Sequence, residues 1–235
     1  MMRLPALSMA VLLAACSGAG DDTLFPLREG HHWRYRMTTS LDDAGSEPQV
    51  EHVDLGTRAM AQVAGAPAFR RTSSSGVSWF LRRDATGIYR VASQGPLDAA
   101  PQPDPAPRFV LKAPYAAGTE WQADTTPYLL QRRFLVPHEL RQLPRYRSLP
   151  MTYRIAATGQ AVDTPAGHFT GCLRVEGRAT LRFVSDDPLA GRDFALGTRE
   201  WYCPRVGLVR LERAEPSPTQ VVVGGTVTME LEAYD

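Results

Sequence analysis

Cys172 to Phe183 reads CLRVEGRATLRF. Leu173, Val175, Ala179, Leu181 and Phe183 alternate there with Arg174, Glu176, Arg178, Thr180 and Arg182. Apolar and polar side chains thus fall on opposite faces at a period of two, which suits an antiparallel strand with one face in a core and one in water. The C-terminal segment behaves the same way. Val221, Val223, Val227, Met229, Leu231 and Ala233 alternate with Val222, Thr226, Thr228, Glu230 and Glu232, and Gly224-Gly225 read as a bulge within that strand.

Further strands are predicted at 32–41, 50–63, 67–74, 77–83, 87–93, 108–112, 126–135 and 151–161. Turns are signalled by AGAP at 64–67, DATG at 84–87 and DDPLAG at 186–191. Helix signals are weak, since 19 prolines and 19 glycines interrupt nearly every window long enough for one. Short connections favour neighbours in sequence as neighbours in the sheet. The expected fold is all-β: an antiparallel meander of about 10 strands with little helix, forming a curved sheet, half-barrel or sandwich. The proline-rich segment QGPLDAAPQPDPAP (94–107) reads as a surface loop that cannot join a ladder, or as a boundary between sub-lobes. VPHELRQLPRYRSLP (136–150) reads as a second irregular loop, with one helical turn at 138–142.

Two of the three cysteines can be placed by register. A hairpin of 172–184 with 192–203, turning at 186–191, sets Cys172 opposite Cys203. A cross-strand disulfide is then expected, worth roughly 3 kcal/mol by loop closure; the alternative is two buried thiols.

The third cysteine sits at the N-terminus, in MMRLPALSMAVLLAACSG. Arg3 is a short positive region, and Leu4 to Ala15 is apolar but too short to span a bilayer. Leu13-Ala14-Ala15-Cys16 resembles the bacterial lipobox, which implies a signal peptide over 1–15 and acylation of Cys16. Acyl chains contribute about 0.8 kcal/mol per buried methylene, enough to hold a chain on a membrane without a spanning helix. Ser17 in place of an aspartate implies, by the same resemblance, the periplasmic face of the outer membrane. Residues 16–24 read as a tether and 25–235 as one β domain. Removing Arg3 from 26 basic and 25 acidic residues leaves a neutral chain, which argues against a nucleic-acid binder.

Chemistry is harder to find. His31-His32 lies in FPLREGHHWRYR (25–36), but adjacent residues of a strand point to opposite faces and cannot share one metal ion. PLREGHHW (26–33) and PYAAGTEW (114–121) share Pro-x-x-x-Gly-x-x-Trp, so the common element is a turn glycine and an aromatic entering a strand. His138-Glu139 opens HELRQ, which has Gln142 where a zinc helix needs a second histidine. Asp186-Asp187 suits a turn before Pro188. TSSSGVS (72–78) has no nucleophile elbow, and no catalytic, metal or cofactor residue is singled out.

Three groups of residues carry a family resemblance. They are Pro26, Leu27, Gly30, Trp33 and Tyr35; Pro165-Ala166-Gly167 with Phe169; and Trp201, Tyr202, Pro204, Val206, Gly207, Leu208 and Val209. The chain resembles uncharacterised bacterial periplasmic lipoproteins, in which these form turns and core of an all-β fold. That pattern has glycine where this chain has Arg205, which puts the last turn in question. The resemblance implies a fold and no activity.

The expectation is a non-catalytic lipoprotein that binds an apolar ligand or an envelope component. Trp33, Tyr35, Trp79, Trp121, Phe183 and Trp201 are candidates to line a concavity, the competing reading for each being a place in the core. The alternative is an assembly accessory docking a protein partner through arginine-rich outer faces (Arg34, Arg36, Arg174, Arg178, Arg182). A hydrolase or inhibitor is the remaining reading.

Overall fold

The pairing that decides the architecture joins the two ends of the chain. In a computed structural model describing residues 24–132, 148–182 and 191–235, β1 (His32–Leu41) runs antiparallel to β14 (Gly225–Tyr234), from Trp33 opposite Tyr234 to Leu41 opposite Gly225. On its other side β1 begins a meander through β2 (Gln49–Val63), β3 (Ala66–Ser73), β4 (Ser78–Asp84), β5 (Gly87–Gln94) and β6 (Gln102–Lys112). From β14 the sheet continues backwards through β12 (Gly207–Glu215), β11 (Asp193–Cys203), β10 (Gly167–Arg182), β9 (Leu149–Thr164) and β7 (Glu120–Thr125). β8 (Gln131–Arg132) and β13 (Val222–Val223) pair separately. The twelve-stranded sheet is nearly closed into a barrel, with no helical element among the described residues. The last two strands in its order, β6 and β7, lie side by side without a ladder.

The two halves repeat each other. Gly30 donates its N–H to Thr57 O and His31 O accepts from Thr57; Gly118 donates to Ile155 O and Thr119 O accepts from Ile155. Both glycines hold positive φ, +92° and +97°, where a side chain would be strained. Trp33 and Trp121, three residues on, are both buried. The Pro-x-x-x-Gly-x-x-Trp echo therefore marks the first strand of each half: β1 through β6, then β7 and β9 through β14. In this arrangement the junction of β6 with β7 is the counterpart of the laddered junction of β14 with β1.

Strand alternation holds in β10, whereas at the C-terminus Val221, predicted inward, is exposed and Val222, predicted outward, is buried. In β10, Leu173, Val175 and Leu181 are buried, while Arg178, Thr180 and Arg182 are exposed. β10 pairs with β11 in the predicted register, Leu173 opposite Tyr202 and Arg182 opposite Asp193, and Cys172 and Cys203 form the disulfide. All five outward arginines meet a carboxylate: Arg34 with Asp54, Arg36 with Glu230, Arg174 and Arg178 with Glu176, and Arg182 with Asp193.

Four expectations are corrected. Residues 102–107 do join the sheet: Pro103 pairs opposite Ala92, because an edge strand can spare the N–H that proline lacks. Residues 126–130 are not a strand, and β7 precedes them. Their backbone groups are taken by side chains of β12: Glu215 accepts from the N–H of Tyr128 and Leu129, and Arg213 donates to Thr126 O and Thr125 Oγ1. Arg213 and Glu215 are paired to each other and buried, so losing one partner would leave an uncompensated charge, at a cost of about 3–5 kcal/mol. At the C-terminus Val222-Val223 leaves the main sheet for β8, and Gly224 separates it from β14 rather than forming a bulge in one strand. Leu24, assigned to the tether, is buried with Phe25 and Leu27. Residues 138–142 and 186–187 lie outside the described residues.

The turn between β11 and β12 is kept with Arg205 in the left-handed region, at φ +68°. A side chain there costs roughly 1–2 kcal/mol, partly offset by the entropy glycine would lose. Arg205→Gly is expected to raise stability by about 0.5–1 kcal/mol, read from the denaturant midpoint. Cys203→Ser, which opens a link across 31 residues, should lower it by about 3 kcal/mol in the same assay under oxidising conditions.

Candidate functional site

Inward-facing side chains leave a cavity of about 350 Å³ inside the barrel. Its walls are largely apolar: Tyr35, Leu55, Trp79, Leu81, Leu208 and Leu211, with Phe109 and Val110 from β6 and Ala123 from β7. One end is stopped by the chain's own N-terminal segment, where Phe25 packs against Tyr202 with ring centroids 6.1 Å apart. At the other side a crevice of about 680 Å³ follows the open junction of β6 with β7. Cavity and crevice share Arg90, Arg108 and Ala123 as lining residues, so the interior is reached sideways.

That junction cannot zip shut. Pro103, Pro105 and Pro107 alternate along β6 and offer no N–H at any of those positions. β6 also bulges against β5, where the stretch from Pro103 to Arg108 spans only Ala92 to Arg90.

Among the described residues four charged groups line the cavity. Arg90 is held in a two-pronged pair by Asp104, at 2.7 and 2.5 Å. Arg108 lies beside Tyr153 and Glu200. Glu200 is half-buried and its carboxylate accepts the Tyr202 hydroxyl at 2.5 Å. Burial pushes the Glu200 carboxyl above the usual range, against the pull of Tyr202 and Arg108. Arg71 comes from β3, where it shares the inward face with Phe69 and Ser73. Its guanidinium sits 4.3 Å from the Phe25 ring and 4.3 Å from the Trp33 ring, and donates to Pro26 O at 2.5 Å. Burial lowers the Arg71 pKa to about 10. Burial also raises the Tyr35 and Tyr202 phenols, so both stay neutral.

Of the six aromatics predicted to line a concavity, Tyr35 and Trp79 do. Trp33 is buried beside it, donating Nε1–H to Val206 O at 2.8 Å, while Tyr35 donates its hydroxyl to Leu208 O at 2.8 Å. Trp121 is core, stacked on Tyr153 at 5.7 Å. Trp201 points to the opposite face from Tyr202 and packs against the cluster around the disulfide, with Arg210 5.7 Å from its ring. Phe183 and Cys16 lie outside the described residues. His31 stacks on Trp33 from outside the strand, and His32 pairs with Asp235 at 3.4 Å. The polar members, Arg71, Arg108 and Glu200, were not anticipated. Their signal was present in β3, where Arg71 occupies the inward phase of an alternating strand.

No protein-family model matches the chain, and no curated protein matches it. Two solved structures are similar. One is described as a "putative lipoprotein" from Parabacteroides distasonis, at 18% identity and TM-score 0.43, covering 91% of this chain and 98% of that one. The other is a "putative exported protein with YmcC-like fold" from Bacteroides fragilis, at 16% identity and TM-score 0.39, covering 91% and 99%. At these values neither transfers an activity, a ligand or a location.

Glu200 supplies a test of the cavity's electrostatics. A carboxyl with a raised folded pKa contributes stability that is present below about pH 4 and lost as the pH rises through that raised value. Glu200→Gln is expected to gain on the parent protein as the pH is raised from 4 to 7, measured by urea midpoints. A constant difference across that range would show that Glu200 titrates as it does in the unfolded chain.

Proposed function

We propose that the protein is a non-catalytic lipoprotein, anchored through acylated Cys16 at the periplasmic face of the outer membrane, that shelters an apolar small molecule inside its barrel. The observation that carries this reading is the cavity. Its volume of about 350 Å³ falls in the range of small-molecule sites, its walls are mainly apolar, and a lateral crevice reaches it. A barrel with an interior filled by side chains would give no such support.

Two features favour binding over the alternatives. The outward arginines that would dock an acidic partner are each engaged by a neighbouring carboxylate, which gives a balanced, wet outer face. Among the described residues the one carboxylate lining the cavity, Glu200, accepts from Tyr202 with Arg108 nearby and is not presented as one of a catalytic pair.

Native mass spectrometry of residues 17–235, exported behind a cleavable non-lipoprotein signal peptide and purified from periplasm, tests the proposal. The expected result is a lipid-sized adduct that survives gentle ionisation and is lost on denaturation. A clean apo mass from every preparation would overturn it and return weight to the accessory reading.

A further inference from the structure

The cavity contains a charge that no described residue balances. Arg71 is buried, with 8% of its surface exposed, and lines the cavity. Its neighbours are two aromatic rings, one backbone carbonyl and two neutral phenols, Tyr35 and Tyr202. Those contacts satisfy its shape without supplying a negative charge. Among the described residues its Nε has no hydrogen-bond partner. Among the described residues no carboxylate pairs with it, whereas Arg90 is paired with Asp104 and Arg108 lies within electrostatic reach of Glu200. A guanidinium withdrawn from water without a counter-ion is costly, and ordinary clamping of the N-terminal segment would not require one.

We infer that the cavity's ligand is an anionic amphiphile, a carboxylate on an apolar chain, whose head group becomes the counter-ion of Arg71. The inference rests on the carrier reading above and names its ligand class. The apolar chain would lie along Trp79, Leu81, Phe109 and Leu211, between Arg71 and the crevice. A planar guanidinium held between two rings is already oriented, so pairing with a carboxylate loses little further freedom. The lowered pKa of Arg71 agrees with an environment short of negative charge.

The probes are dodecanoate and its neutral counterpart dodecanol, titrated at pH 8 into the mature chain lacking only Cys16, after bound lipid is stripped on a hydrophobic resin. Tryptophan fluorescence reads binding, because Trp33 and Trp79 flank the site. Dodecanoate is expected to bind about 10- to 100-fold tighter than dodecanol. Arg71→Gln should abolish that preference and leave dodecanol affinity unchanged, while Arg108→Gln should keep it. Equal binding of the two probes would overturn the inference and leave the carrier reading standing; binding of neither would overturn both. A preference that survives Arg71→Gln would also overturn it. If Arg71→Gln does not fold, Arg71→Lys replaces it. A preference reduced in Arg71→Lys and intact in Arg108→Gln supports the inference, and the reverse pattern overturns it.

Discussion

The ladder between β1 and β14 is the constraint on which the rest depends. It joins strands separated by nearly the whole chain, whereas most other contacts in the sheet are between sequence neighbours. Closing so large a loop costs conformational entropy that grows only slowly with length, but it must be met before this non-local ladder rewards it. Two buried side chains of β1 reinforce the closure by reaching past β14. Trp33 and Tyr35 donate to the carbonyls of Val206 and Leu208, fastening the first strand to the start of β12. The disulfide then secures β10 to the end of β11, near the same end of the barrel.

With that junction closed, its counterpart becomes informative. The two halves enter their first strands by the same glycine turn and bury the same tryptophan, yet only one of the two half-to-half junctions is laddered. The difference traces to β6. Three alternating prolines and a bulge make it a poor donor edge, which protects against pairing with other chains and leaves a crevice beside β7. Edge protection and access to the interior thus come from the same residues. The outer surface is handled differently. Arg36, Glu230, Arg210, Glu212 and Arg199 run as a chain of ion pairs across four strands. Each exposed pair contributes little, and together they keep the outer face polar.

Much of the fold was legible because period-two alternation and turn chemistry are local. β10, its hairpin with β11 and the Cys172–Cys203 pairing follow from counting residues around one turn. The segments misread share one physical cause, a backbone satisfied by something other than a strand neighbour in sequence. Residues 126–130 look extended and apolar enough for a strand, but Arg213 and Glu215 occupy their polar groups. Residues 102–107 look too proline-rich for a sheet, and are tolerated because their outer edge has no partner to supply. The site was less legible. Aromatic residues were visible as large apolar side chains, yet whether each faced the cavity, like Trp79, or the core, like Trp121, depended on how far the sheet curved.

By itself, then, the amino-acid sequence determined the all-β class, most of the strand faces and the disulfide register, since each is encoded within a few residues or one hairpin. Only the tertiary structure decided that the sheet curls into a barrel, that β6 and β7 stay apart, and that Arg71 stands in the cavity with no counter-ion among the described residues. Those outcomes depend on which strands meet after some two hundred residues of chain have been laid down, and on which charges burial leaves together. No local pattern records either.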